Sequence, residues 1–303
     1  MAEKVGPHAA GGEEGPVPRY WLGAAAIIGC AVALSLSGKL GLQHLSLLVL
    51  LWTCLAPQDG PRRFMRDWWP MVCFWLAYDM MRIFSASLFP RVAVDPPFRL
   101  ESRLFLAPDG TLWPFYFTRW MSRHAGEFYP RVVSGFCNAV YLSHLFGIPV
   151  ILLVLWLRRS QLLFRRLVWS LTLLHALSLA IYLLYPAAPP WWVYENGSLQ
   201  PSAQHSMPSG YARGSPLSGL FDLSPNRFAA IPSLHAAYPL LLTLVLVLHG
   251  SKPRWIALAA VYAASMWFAC VFLNQHYIID LVIGAGLVFP ALLVAVRIKS
   301  LDS

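Results

Sequence analysis

The chain has 303 residues, of which 57% are hydrophobic, 14% aromatic and only 12% charged, with a mean hydropathy of +0.55. A soluble domain carries about 25% charged residues, so this composition excludes an ordinary water-soluble globule, and its apolar content excludes disorder. The formal net charge of +9 does not point to nucleic acid, because the basic residues punctuate long apolar runs and do not cluster on one solvated face.

In chain order, residues 1–18 lack apolar periodicity and read as a disordered tail. The run at 20–38 is longer than a signal-peptide core and reads as a retained transmembrane helix. A helix needs about 20 apolar residues to cross a bilayer. That window selects seven further segments, at 40–57, 68–90, 132–157, 167–185, 233–248, 255–273 and 278–296. The expected fold class is an all-α integral membrane protein, a polytopic helix bundle with about eight transmembrane helices.

An even number of crossings places both termini on one side. The short segments on that side carry Lys4, Arg19, Arg62, Arg63, Arg66, Arg158, Arg159, Arg165, Arg166, Lys252, Arg254, Arg297 and Lys299. By the positive-inside rule this side is cytoplasmic. The long segments 91–131 and 186–232 then face the periplasm, the cell exterior or an organelle lumen. Tyr20-Trp21, Trp68-Trp69 and Trp191-Trp192 sit at helix ends, where amphipathic rings suit the headgroup layer. The five cysteines, Cys30, Cys54, Cys73, Cys137 and Cys270, lie in apolar stretches and read as small buried residues. No metal-ligand spacing appears among them, so no metal and no cofactor is expected.

Four polar segments are not explained by hydrophobic patterning, and two of them carry the argument first. In Asn274-Gln275-His276-Tyr277-Ile278-Ile279-Asp280, the i, i+4 spacing of His276 and Asp280 lets the carboxylate accept an imidazole N–H if the helix begins by His276. That bond would fix the tautomer and leave the other ring nitrogen free as nucleophile or base. In Ala230-Ile231-Pro232-Ser233-Leu234-His235, Pro-Ser before a long apolar run signals a helix start, and such N-termini bind phosphate. Ser233 would add a hydroxyl donor. The topology places both helix starts on the same side, so His235 and His276 can meet at one depth. One imidazole would attack a held phosphate while the other protonates the leaving oxygen.

Pro232-Ser233-Leu234-His235 and His276-x-x-x-Asp280 resemble the second and third blocks of the type-2 phosphatidic acid phosphatase superfamily. Within it, the sequence is most similar to the inositol phosphorylceramide synthase (inositolphosphotransferase) branch. That likeness is carried by Tyr185-Pro186-Ala187-Ala188-Pro189-Pro190-Trp191-Trp192, Val140-Tyr141-Leu142-Ser143-His144, Glu101-Ser102-Arg103-Leu104-Phe105 and His276-Tyr277 before Asp280. The resemblance implies a six-helix phosphatase-type catalytic core at 68–297. Two accessory helices at 19–67 would precede it, after the 1–18 tail, and a C-terminal tail at 298–303 would follow. It also implies that His276 forms a phosphohistidine, that Asp280 orients it, and that His235 acts as general acid and then base.

The sequence departs from the superfamily pattern in lacking the first block, Lys-x6-Arg-Pro, and in having Cys270 where the third block has Arg. Arg82, three residues after Asp79, is a candidate replacement for phosphate binding; equally, Asp79 and Arg82 form a pair that fixes helix packing. Arg123, Arg131, Arg213 and Arg227 are alternatives. His144 is placed near the substrate headgroup by its motif, whereas His175 reads as a packing hydrogen-bonder. Residues 186–190 contain three prolines and end a helix. The segment 193–228 is long enough to be a lid, or it is a plain connector.

The expected function is transfer of a phosphorylated headgroup, such as inositol phosphate, from a phospholipid donor to a lipid hydroxyl on the non-cytoplasmic side. The alternatives are a lipid phosphate phosphatase, with water as acceptor, and a transporter or channel lined by Asp79, Arg82, His144 and His175. The expected partners are membrane lipids and not nucleic acid.

Overall fold

The computed structural model describes residues 59–196 and 226–298. The N-terminal tail, the helices expected at 20–38 and 40–57, most of the 193–228 segment and nearly all of the C-terminal tail lie outside the described residues, as do Cys30, Cys54 and Arg213. The chain divides into two compact units, residues 1–66 and 67–303. Only the opening turns of one helix belong to the described part of the first.

The described residues form nine α-helices: α1 (Asp59–Leu88), α2 (Asp95–Leu104), α3 (Trp113–Arg123), α4 (Phe128–Leu157), α5 (Gln161–Leu184), α6 (Pro190–Asn196), α7 (Leu234–Leu248), α8 (Pro253–Phe272) and α9 (Ile278–Arg297). Their extended segments meet only in isolated bridges, which join Ala187 to Ala93 and to Ala229, and Leu106 to Leu112. Helices α5, α8 and α9 are long and apolar enough to cross a membrane. A fourth, α4, qualifies if its two halves, bent by 53° between Leu145 and Gly147, count as one span. Pro149 accounts for the bend, because it lacks an N–H and its ring meets the carbonyl of Leu145 four residues back. Helix α7 is apolar but has only 15 residues.

Helix α7 is the hub, packed against α5, α8 and α9; α9 also lies on α5, and α8 on α4. Its close approach to α9 depends on Gly284, where a Cβ would collide with the carbonyl oxygen of Ser233. Helix α1 joins through ring contacts of Trp68 with Phe164 and Trp69 with Trp169, and through Asp67, whose Oδ2 accepts the Trp156 indole N–H at 2.9 Å.

The segment 91–131, expected to be a loop, contains α2 and α3, each with proline in its first turn. Both are amphipathic and only 10 and 11 residues long, so a window sized for a bilayer passes over them. They lie against the same end of the bundle, α2 on α9 and α3 on α8. Cys137 and Cys270 are buried as expected, whereas Cys73 is exposed on α1.

Candidate active site

Two helix N-termini meet beneath a knot of extended backbone. Tyr185 closes α5, and the proline-rich segment after it is held on both sides. Ala93 N–H donates to Pro186 O at 2.8 Å, Ala188 N–H to Ala93 O at 2.9 Å, and Ala187 N–H to Phe228 O at 2.9 Å. Trp191 N–H donates to Asn274 O at 3.0 Å. This cross-tying brings the chain before α7 and the chain before α9 together.

Ser233 is the N-cap of α7, and its buried Oγ accepts the Ala236 N–H at 3.4 Å. Its own N–H donates to Asp280 O at 3.1 Å, and Tyr182 Oη donates to Pro232 O at 2.7 Å. Ser233 therefore fixes the entry of α7 against α9, and His235 projects from the first turn.

Helix α8 ends at Phe272, and the chain reverses through Asn274, at φ 58° in the left-handed region that asparagine tolerates. The backbone N–H groups of Gln275 and His276 then both donate to Cys270 O, at 3.0 and 3.2 Å. Cys270 itself is buried in a core with Ala236, Met266, Val271 and Leu281. The position of the expected third-block arginine is thus a packing position supporting the His276 turn.

Helix α9 begins at Ile278 with Tyr277 as N-cap, so His276 lies before the helix and not on its face. It meets Asp280 because the capping turn folds back. Asp280 Oδ2 accepts Tyr277 N–H at 2.9 Å and lies 3.4 Å from His276 Nδ1. The same Nδ1 is 3.1 Å from Ala230 O. Both neighbours are acceptors, so Nδ1 carries the proton and Nε2 presents its lone pair. That Nε2 lies 3.3 Å from His235 Nδ1.

Tyr141 and His144, one turn apart on α4, stack on His235 at centroid distances of 4.1 and 3.9 Å. The structure therefore brings His235, His276, Asp280, Ser233 and His144 together. The side chains of Asp79 and Arg82 in α1 lie outside the described residues. Arg131 donates to the backbone carbonyls of Gly126 and Glu127, and Arg123 is exposed at the end of α3. Among the described residues, no three His, Cys, Asp or Glu side chains converge as metal ligands.

Glu101 lies in one of the motifs that carry the family likeness, and only its position in the fold brings it to this helix start. It is fully buried on α2, and its two carboxylate oxygens accept the N–H groups of Ile278 and Ile279 at 2.9 and 3.0 Å. An acidic group 177 residues away in sequence thus fills the anion site at the N-terminus of α9. Burial pushes its carboxyl up to about 7, against the opposing pull of the two backbone bonds. Because α9 is capped by Glu101 and Asp280, the first turn of α7 is, among the described residues, the remaining N-terminus beside the two histidines.

Residues 113–294, more than half of the chain and a span holding both histidine segments, match the PAP2 superfamily. The chain belongs to this superfamily. A protein from Bacteroides thetaiotaomicron named phosphoinositol dihydroceramide synthase is 28% identical over 71% of this chain and 71% of its own length. Inositol phosphorylceramide synthase of Candida albicans is 34% identical over 38% of this chain and 25% of its own length. The inositol phosphorylceramide synthase catalytic subunit of Schizosaccharomyces pombe is 32% identical over 44% and 33%, respectively. The chain thus matches a quarter to a third of the length of these fungal relatives. No solved structure matches it. Superfamily membership, together with three helices long and apolar enough to cross a membrane, supports an integral membrane protein.

Proposed function

We propose that this chain moves a phosphorylated headgroup, inositol phosphate being the case suggested by its relatives' names, from a phospholipid to a lipid hydroxyl through a phosphohistidine. The observation that carries the reading is the pairing of His276 Nε2 with His235 Nδ1 at 3.3 Å, with Nδ1 of His276 flanked by Ala230 O and Asp280.

In the first step His276 Nε2 attacks phosphorus. The P–N bond forms, the P–O bond to the diacylglycerol breaks, and His235 gives its proton to the departing oxygen. Asp280 stabilises the positive charge that develops on the His276 ring. In the second step His235 takes the proton of the acceptor hydroxyl as its oxygen attacks phosphorus, and the P–N bond breaks. His235 begins and ends protonated, so the cycle needs no external base. The first turn of α7, with Ser233 and His144 beside it, is the proposed phosphate and headgroup site. Asp79 and Arg82 are proposed as further groups toward the phosphate.

The proposed setting is a bundle of about eight spans. Both termini are cytoplasmic, and the site lies on the periplasmic, extracellular or lumenal side. The proposed division is the 1–18 tail, accessory helices at 19–67, a catalytic core at 68–297 and the tail at 298–303.

The purified full-length protein in mixed micelles should be offered phosphatidylinositol, phosphatidic acid and either ceramide or diacylglycerol, and the lipid products identified by mass. A new headgroup-bearing lipid, absent with His276→Ala, is the expected result. Free phosphate without a new phospholipid would overturn transfer in favour of hydrolysis.

A further inference from the structure

The half-buried ring of His235 is stacked by two rings of α4. Tyr141 lies on one side at 4.1 Å with an interplanar angle of 12°, and His144 stacks against it at 3.9 Å with an angle of 28°. His144 in turn stacks on Tyr238, at 4.6 Å and 6°. The hydroxyl of Tyr238 is hydrogen-bonded to Nε2 of His175, a buried residue of α5. The His175 ring lies flat on Phe74 of α1, at 3.5 Å and 9°. Four helices, α1, α5, α7 and α4, thus contribute to one ring column that ends on His235.

Buried polar side chains are usually satisfied, and a polar pair retained inside an apolar bundle orients what it touches. The phenol of Tyr238 cannot slide without losing His175, and His144 cannot tilt without losing Tyr238. Stacked between these rings, the His235 imidazole is restrained from tilting and keeps its Nδ1 edge toward His276 Nε2 at 3.3 Å.

We infer that Tyr238 and His175 are positioning residues for the proton-transferring imidazole of His235, acting through the stacked ring of His144. The inference rests on the proposed acid–base role of His235 and adds residues that touch no substrate. The groups facing His235 that can themselves titrate are His276, His144 and Tyr141.

A leaving group that departs without a proton separates positioning from folding. The purified full-length protein is run under single-turnover conditions with phosphatidylinositol, whose alkoxide leaving group needs protonation, and with the 4-nitrophenyl ester of inositol phosphate, whose leaving group does not. Tyr238→Phe keeps the ring and removes the hydroxyl. It should slow release from phosphatidylinositol by about 10-fold or more with KM unchanged, and slow nitrophenolate release by less than about 2-fold. His235→Ala should show the same donor dependence, more strongly. His175→Leu removes the same bond from the other side, and His175→Gln, which can still bond the phenol, should restore most of the rate.

Equal slowing on both donors, or no slowing on either, overturns the inference. The first result marks a purely structural pair and the second an idle one, and His175→Leu decides if Tyr238→Phe does not fold. Nitrophenolate release by the parent protein no faster than by His276→Ala would overturn the proposed function itself, and the inference with it.

Discussion

His276 Nε2 faces His235 Nδ1 across 3.3 Å, although the two residues approach from different helix starts and are 41 residues apart in sequence. Each comes from a turn that is itself pinned, His276 through Cys270 O and Ala230 O, and His235 through the Ser233 cap. Replacing either imidazole by Ala should remove a chemical group and leave the packing of the caps. Turnover with a phospholipid donor is expected to fall by about 10²-fold or more for His235→Ala and to background for His276→Ala. Retained turnover in both proteins, measured as lipid product by mass, would sink the enzyme reading.

Asp280 both caps α9 and faces His276, and an isosteric change separates those duties. In Asp280→Asn the amide oxygen can still accept the Tyr277 N–H, but the negative charge beside His276 is gone. The melting temperature in detergent should change little while turnover falls on the order of 10²-fold. A parallel collapse of both quantities would mean that the residue serves only the cap.

Glu101 makes stability pH-dependent. Its carboxyl titrates at about 7 in the folded chain and at 4.5 in the reference state, so between these values the folded chain holds a proton that the unfolded chain has released. Stability from this group is therefore present at the acidic end and declines as pH rises through 7. The melting temperature of the parent protein should fall from pH 5 to pH 8, and Glu101→Gln should flatten that slope. An unchanged slope in the variant would exclude Glu101 as the titrating group.

Gly284 is the point where α9 passes under the α7 cap. Gly284→Ala puts a methyl group against the Ser233 carbonyl, which belongs to backbone and cannot rotate away. Overpacking of this kind costs about 1–3 kcal/mol. The displaced Ser233 carries His235 with it, so turnover should fall more steeply than the melting temperature. Unfolding curves and product formation measured on the same preparation test this; full activity would show that α7 and α9 stand further apart.

The proposed sidedness has a direct readout. A single Cys placed between residues 197 and 225, in a protein whose five native cysteines are replaced, should react with a membrane-impermeant thiol reagent in intact cells. Labelling only after lysis would invert the orientation.

Much was legible in the residues alone because hydrophobic periodicity and local helix signals depend on nearest neighbours. The apolar runs mark α5, α8 and α9, Pro232-Ser233 marks the start of α7, and the His-x-x-x-Asp spacing marks a pair. The reason that pair meets was not legible, since His276 lies outside the helix and reaches Asp280 through a capping turn. Helices α2 and α3 were hidden because each is too short and too polar for a bilayer-length window.

The sequence by itself determined a membrane-embedded helical chain and marked the two polar segments proposed to carry its chemistry, since composition and i, i+4 spacing are local properties. Only the tertiary structure decided which groups surround those segments. Glu101 on the α9 N-terminus, the carbonyl of Ala230 on His276, and the ring column from Phe74 to His235 join residues from 46 to 178 positions apart. Such partners are selected by how helices cross and by which buried donors need acceptors, and neither is written in any one stretch of chain.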